Sequence, residues 1–357
     1  MRPRHTQHSL TNFPIHSAAF VASDRLVVGG GGGSTKSGIK NKLRLYSIGS
    51  DRSIELKNEI EIEDAPTSMS ADLKASSRHP LAKVTTFSPD CKLVAVAGCH
   101  NLSILSFPNL EPAASSIQLE KEISDATFSS TGETLVVATT HNLHVYSIKS
   151  RPETSSSKKN RSKNKAGSST GKMGTLELLQ AIELPSSLGG SGACTFRSAR
   201  YHPSNDSVMY TVINTSPPRE RGRKTPARQG YVLKWNTQTW TVEKQKKVGD
   251  KALTAFDVSL DGRFLGYGSS DLSIGILDPK TLTPLCTVLK AHEFPPTAVK
   301  FDPTTRVIAS GSVDNTLRIV TIPEVVGGFS WTIVILALVT ALIVLIAIAM
   351  QGKRLGW

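Results

Sequence analysis

Five consecutive glycines, Gly29 to Gly33, follow the apolar run Leu26-Val27-Val28, and a second apolar alternation (Leu43, Leu45, Tyr46, Ile48) begins after Asn41-Lys42. A strand therefore enters a loop and another strand leaves it. A plain hairpin needs two to five residues, and this connection uses about a dozen. Glycine admits conformations closed to other residues and lets backbone approach a partner or an ion closely. The bland alternative is a flexible Gly-Ser hairpin tip. A phosphate-cradling P-loop needs a glycine, four residues, then Gly-Lys-Ser/Thr, with a helix following. Here Lys36 follows Thr35, and what comes next is strand-like; Gly171-Lys172 is followed by Met173 in a low-complexity tract. The mismatch argues against nucleotide binding by this chain itself. No Ser/His/Asp spacing, metal cluster or carboxylate pair stands out from the turn residues, so covalent catalysis has no candidate group.

The 357 residues suffice for one large or two ordinary domains. Met1 to Pro14 carries Arg2, Arg4, His5 and His8 with no apolar segment, which does not read as a secretory leader. The four cysteines (Cys91, Cys99, Cys194, Cys286) form no C-x-x-C pair, which fits a reducing compartment and no disulfide or zinc framework. The formal charge of +13 is concentrated in two tracts. Residues 151–175 hold seven Lys/Arg against Glu153, and 217–229 hold five against Glu220. Both are rich in Ser, Gly or Pro without apolar periodicity and read as disordered basic insertions.

Short apolar runs alternating with turn signals predict an all-β domain over residues 1–323. In the clearest unit, Ala291-His292 precedes a run ending at Phe301. Then come Val307 to Ser312, Asp314-Asn315-Thr316, and Leu317 to Val320. This resembles a WD repeat, without the terminal Trp-Asp pair. The resemblance makes His292 and Asp314 a structural hydrogen-bonded pair. Similar units are marked by Phe20, Phe87, Phe128, Tyr201 and Phe256. The fold expected is a WD40-like β-propeller, with six repeats visible and seven blades expected, the seventh sought between Phe20 and Phe87. The glycine loop then joins the second and third strands of the first blade.

After a short linker at 324–328, Phe329 to Met350 holds no charged residue. At about 1.5 Å per residue against about 30 Å of hydrocarbon, it predicts a single transmembrane helix, with Trp331 and Trp357 as interface anchors. Residues 351–357 would be a short luminal tail and the propeller cytosolic, although Lys353 and Arg354 beyond the span oppose that orientation.

Loop, divergent propeller and anchor together resemble the endoplasmic-reticulum membrane WD-repeat guanine-nucleotide exchange factors that start COPII coat assembly, the prolactin regulatory element-binding protein family. The most specific match is G-G-G-G-x(4)-G-I-x-N-K-L, here Gly30 to Gly33, Gly38, Ile39, Asn41, Lys42 and Leu43. The Ala-His-x-Phe of 291–294 adds to it. The resemblance implies a Sar-family small GTPase as partner, with Gly38, Ile39, Lys40 and Asn41 as the exchange element. It also implies a potassium ion held by Asn41 and by carbonyls of Gly30, Gly31, Gly32 and Gly33. Family members with a long luminal domain differ from this chain, and the basic insertions lie outside the pattern; they offer contact with anionic lipid. A membrane-anchored scaffold without exchange activity is the alternative reading. Nucleic acid is a poor fit, because the basic tracts lack interleaved aromatics.

Overall fold

Every one of the six aromatic-marked repeats becomes an antiparallel sheet with its marker on the innermost strand. The computed structural model describes residues 3–33, 38–62, 69, 84–149, 175–188, 194–215, 228–322, 335–336 and 338–344. After β1 (His5–Ser9), the first blade is β2 (Ile15–Ala22), β3 (Arg25–Gly30), β4 (Lys42–Ile48) and β5 (Ile54–Glu61). The second is β6 (Val84–Phe87), β7 (Leu93–Ala97), β8 (Asn101–Ser106) and β9 (Ile117–Gln118). The third is β10 (Ile123–Phe128), β11 (Thr134–Thr139), β12 (Asn142–Lys149) and β13 (Thr175–Glu183). The fourth is β14 (Cys194–His202), β15 (Asn205–Thr215), β16 (Gly230–Asn236) and β17 (Thr241–Gly249). The fifth is β18 (Leu253–Val258), β19 (Leu265–Ser269), β20 (Ile274–Leu277) and β21 (Pro284–Val288). The last is β22 (Pro296–Phe301), β23 (Val307–Ser312) and β24 (Thr316–Thr321), completed by β1, which pairs His5 with Val320 through Ser9 with Thr316.

The innermost strands stand side by side in the order β6, β10, β14, β18, β22, β2. The core is accordingly split into clusters between neighbouring blades. Phe13, Ile15 and Leu26 pack with Ala309, Leu317 and Ile319 across the last and first blades. Phe196, Met209 and Trp235 pack with Val136 and Leu143 across the fourth and third. Polar staples join the same neighbours. Thr297 Oγ1 donates to the Ile15 carbonyl at 2.7 Å, and Thr254 Oγ1 to that of Pro296 at 2.6 Å. Asp125, buried in the third blade, accepts from Ser198, the Ala199 amide and Arg200 of the fourth.

The described residues form six blades, which corrects the expectation of seven. A blade takes about 40–45 residues. Only 22 separate Glu61 from Val84, where the seventh was sought. Of the two basic tracts, only Thr175, Arg228 and Gln229 lie among the described residues. The chain divides into two units, Met1–Ile322 and Pro323–Trp357. In the second, Ile335, Leu336 and residues 338–344 are helical. Among the described residues no helix is long and apolar enough to cross a membrane, so the expected transmembrane helix is not supported by the structure. Phe329, Trp331 and Met350 lie outside the described residues.

His292 and Asp314 meet in the last blade, both side chains essentially buried, with Nδ1 3.3 Å from Oδ2. The Thr316 hydroxyl donates to Asp314 Oδ1 at 2.6 Å, so its oxygen accepts from His292 Nδ1–H at 2.7 Å. Nε2 then accepts from the Ser310 hydroxyl at 2.8 Å, which suits a neutral imidazole. Burial lowers the His292 pKa to about 4, with Asp314 opposing the shift and Arg318 reinforcing it. A histidine that resists protonation when folded binds its proton only on unfolding. Its stabilising contribution is whole above pH 6.5 and is lost as pH falls from there to about 4. Urea unfolding of wild type and His292→Asn across this window tests the point. The wild type should lose on the order of 3 kcal/mol more than the variant, and parallel pH slopes would contradict it.

Candidate functional site

Within each blade the strands alternate in direction. The start of the innermost strand and the connection between the second and third therefore share one face of the propeller. In the first blade that connection is the glycine loop, Gly31 to Asn41, between β3 and β4. Gly29 and Gly30 are not part of it. Gly30 pairs with Ile15 on one side and Lys42 on the other, so it belongs to the ladder. A side chain at Gly30 would strike the Pro14 carbonyl and the Phe13 ring, which cross directly over it.

The loop leaves the sheet at Gly31, whose φ of 135° falls in a region that favours glycine. Its amide donates to Pro14 O at 3.0 Å. Its carbonyl accepts from His16 Nε2 at 2.9 Å, which requires the Nε2–H tautomer. Across the loop, the Gly32 amide donates to Ile39 O at 3.3 Å. The Asn41 side chain, only 7% exposed, then bonds both backbone groups of Gly33. Oδ1 accepts the Gly33 amide at 2.8 Å, and Nδ2 donates to the Gly33 carbonyl at 3.1 Å. The Asn41 carbonyl accepts the Ile62 amide at 2.9 Å, extending the pairing of β4 with β5.

Of the residues read as the exchange element, Gly38 and Lys40 are exposed, Ile39 is half-buried and Asn41 is buried. Lys40 Nζ reaches both Glu61 carboxylate oxygens at 3.0 Å, an exposed ion pair of small energetic weight. The base is firmer. Glu59 binds Lys42 and Arg44, hydrogen bonds from these two hold its carboxyl below the usual range, and the Arg44 guanidinium lies 4.1 Å from the Phe13 ring centre.

The loop suits a monovalent cation in its donor chemistry. A Cβ on Gly31 would lie 2.5 Å from both Asn41 Cα and Asn41 Oδ1 and 2.7 Å from the Lys40 carbonyl oxygen, so only glycine fits against this backbone, and two neutral oxygens face it. A carbonyl oxygen has two lone pairs, so one hydrogen bond does not bar it from an ion. Neutral carbonyls replace the hydration shell of potassium, whereas calcium sites recruit carboxylates. Among the described residues no group of three or more His, Cys, Asp or Glu is placed to hold a metal.

The WD domain, G-beta repeat profile matches residues 283–320, which span β21 to β24. SEC12-like protein 2 of Arabidopsis thaliana is 29% identical over 131 residues, covering 36% of this chain and 30% of that protein. The guanine nucleotide-exchange factor SEC12 of Candida glabrata is 23% identical over 354 residues, covering 90% of this chain and 73% of that protein. The chain is similar to Sec12-type WD-repeat proteins. Phe13, Pro14 and His16 were not singled out from the sequence. The one signal there is a histidine inside the apolar run Ile15-His16-Ser17-Ala18-Ala19-Phe20.

Asn41→Ala removes both bonds to Gly33, together worth about 1–3 kcal/mol of local order. Amide exchange at Gly33 should quicken about tenfold or more while the global unfolding midpoint stays nearly constant. Unchanged exchange at Gly33 would show that the loop is held by other contacts.

Proposed function

We propose that the chain is a guanine-nucleotide exchange factor for a Sar-family small GTPase, working at the endoplasmic-reticulum membrane to start COPII coat assembly. The observation that carries this reading is that Asn41 ties Gly33 across the base of the glycine loop, and that Gly31 is seated on Pro14 and His16. A loop whose base is fixed on a rigid blade is suited to entering a partner's nucleotide pocket. The named exchange activity of the Candida glabrata relative supports it, as does alignment over most of both chains. The uncharged run at 329–350 supports a place at the membrane. The chain leaves the propeller on the face opposite the loop, where the Ile322 amide donates to Arg306 O at 2.8 Å, so the loop face is clear of the chain's exit.

Exchange of this kind needs no covalent step. The factor binds the nucleotide-free GTPase more tightly than the GDP-bound form and so shifts the population toward release. Ile39 supplies an apolar contact, Lys40 a charge beside it, and Gly38, with φ of 75°, a backbone reversal just before them. Asn41 orders the approach. A potassium ion, held by Asn41 with carbonyls of the loop, would supply further stiffness.

The test is release of a fluorescent GDP from a Sar-family GTPase by the full chain in detergent. Wild type should accelerate release. Asn41→Ala should cost about tenfold of that acceleration, in line with two lost hydrogen bonds. Potassium buffer should outperform sodium. A folded wild-type chain that leaves release at its intrinsic rate would refute exchange activity and favour the scaffold reading.

A further inference from the structure

Eight large apolar side chains of the propeller are exposed among the described residues: Leu56, Ile60, Leu178, Leu179, Leu260, Leu289, Phe294 and Val313. Leu56, Ile60, Leu178 and Leu179 lie on outermost strands, and Leu260 on the opposite face at the turn between β18 and β19. The remaining three lie on connections between strands. Leu289 and Phe294 belong to the connection from β21 to β22, and Val313 to the turn between β23 and β24. By the alternation of strand direction, both connections emerge on the face that carries the glycine loop. Phe294 and Val313 are held together there. The Ser312 hydroxyl donates to Phe294 O at 2.9 Å, and the Glu293 amide to Asp314 Oδ2 at 2.7 Å.

This patch adjoins the loop through one short path. Thr297, three residues after Phe294, donates to Gly311 O at 3.1 Å and to Ile15 O of the first blade at 2.7 Å. Ile15 pairs with Gly30, and Pro14 accepts the Gly31 amide. The base of the loop and the apolar patch thus belong to neighbouring blades and open on one face. Phe294 is 55% exposed and Leu289 76%.

We propose that Phe294 and Val313, flanked by Leu289, form a second docking site for the same small GTPase that the loop engages. The proposal rests on the exchange reading above. A folded partner needs about 800 Å² on each side for a stable interface, from about 20–30 residues. The loop offers eleven residues between its strands, several of them glycine, so its partner must also cover the adjoining face. The last blade supplies what a loop of small residues lacks. An exposed aromatic beside aliphatic side chains is the anchor around which interface affinity concentrates. The loop then acts on the nucleotide pocket, and the patch holds the GTPase in register.

The two roles separate kinetically. Fluorescent GDP release from a Sar-family GTPase is measured against increasing full-length factor for wild type, Asn41→Ala and the double variant Phe294→Ser/Val313→Ser. Thermal unfolding of each confirms that it is folded. Leu289→Ser, at the rim of the patch, is a second probe if the double variant unfolds. The patch variants should raise the concentration giving half-maximal release by about tenfold or more and leave the saturating rate within about twofold. Asn41→Ala should lower the saturating rate. Patch variants with wild-type concentration dependence, in a set where Asn41→Ala is slow, overturn the docking site and leave the exchange reading standing. A wild type that does not accelerate release overturns both.

Discussion

The base of the glycine loop is held because one buried amide stands in for a missing strand. Beyond Gly30 the ladder between β3 and β4 stops, and the amide and carbonyl of Gly33 lie outside it. Asn41 closes it with one acceptor and one donor, the pair a neighbouring peptide would offer. The propeller uses the same device elsewhere. Asn214, at the end of β15, bonds both the amide and the carbonyl of Leu253 at 2.8 Å and ties the fourth blade to the fifth. In both places an asparagine with a buried side chain is suited because its amide is neutral and two-sided. Aspartate would bring a buried charge and lose the donor.

That clasp works only on a rigid base. Phe13 fills the space over Gly30, Arg44 lies on the Phe13 ring, and Glu59 fixes Arg44 and Lys42 beneath the loop. The base in turn depends on the junction with the last blade, where Thr297 reaches Ile15 and Gly311 leaves room for the Ile15 side chain. A Cβ at Gly311 would lie 2.5 Å from Ile15 Cγ2, so the close approach of the two blades requires glycine there. The loop is thus anchored to a seam between blades rather than to a single sheet.

Much of this was legible in the sequence, for identifiable reasons. The aromatic markers fall on innermost strands because a large ring closes the space between blades; Phe20, Phe128, Tyr201, Phe256 and Phe301 are all buried. The five glycines and the returning apolar alternation located the loop. His292 and Asp314 came together because the repeat fixes their spacing. What escaped had no periodic signal. β1 alternates exposed and half-buried polar residues, and its place in the last blade comes from pairing with β24 and from Arg318, which donates to His5 Nδ1 and Gln7 Oε1. The outermost strands β5, β13 and β17 are mostly solvent-facing and carry little hydrophobic pattern. The bed of the loop was hidden because Pro14 and His16 meet Gly31 across 15 to 17 residues of chain, a contact that local pattern cannot reveal.

The central claim is that the glycine loop on this face is what meets the GTPase. Hydrogen exchange of the full chain, with and without a nucleotide-free Sar-family GTPase, tests it most directly. The account predicts that protection on binding is strongest at residues 31–41, and that the turn between β18 and β19 on the opposite face is unaffected. Protection confined to that opposite face, with amides 31–41 exchanging as in the free chain, would contradict it.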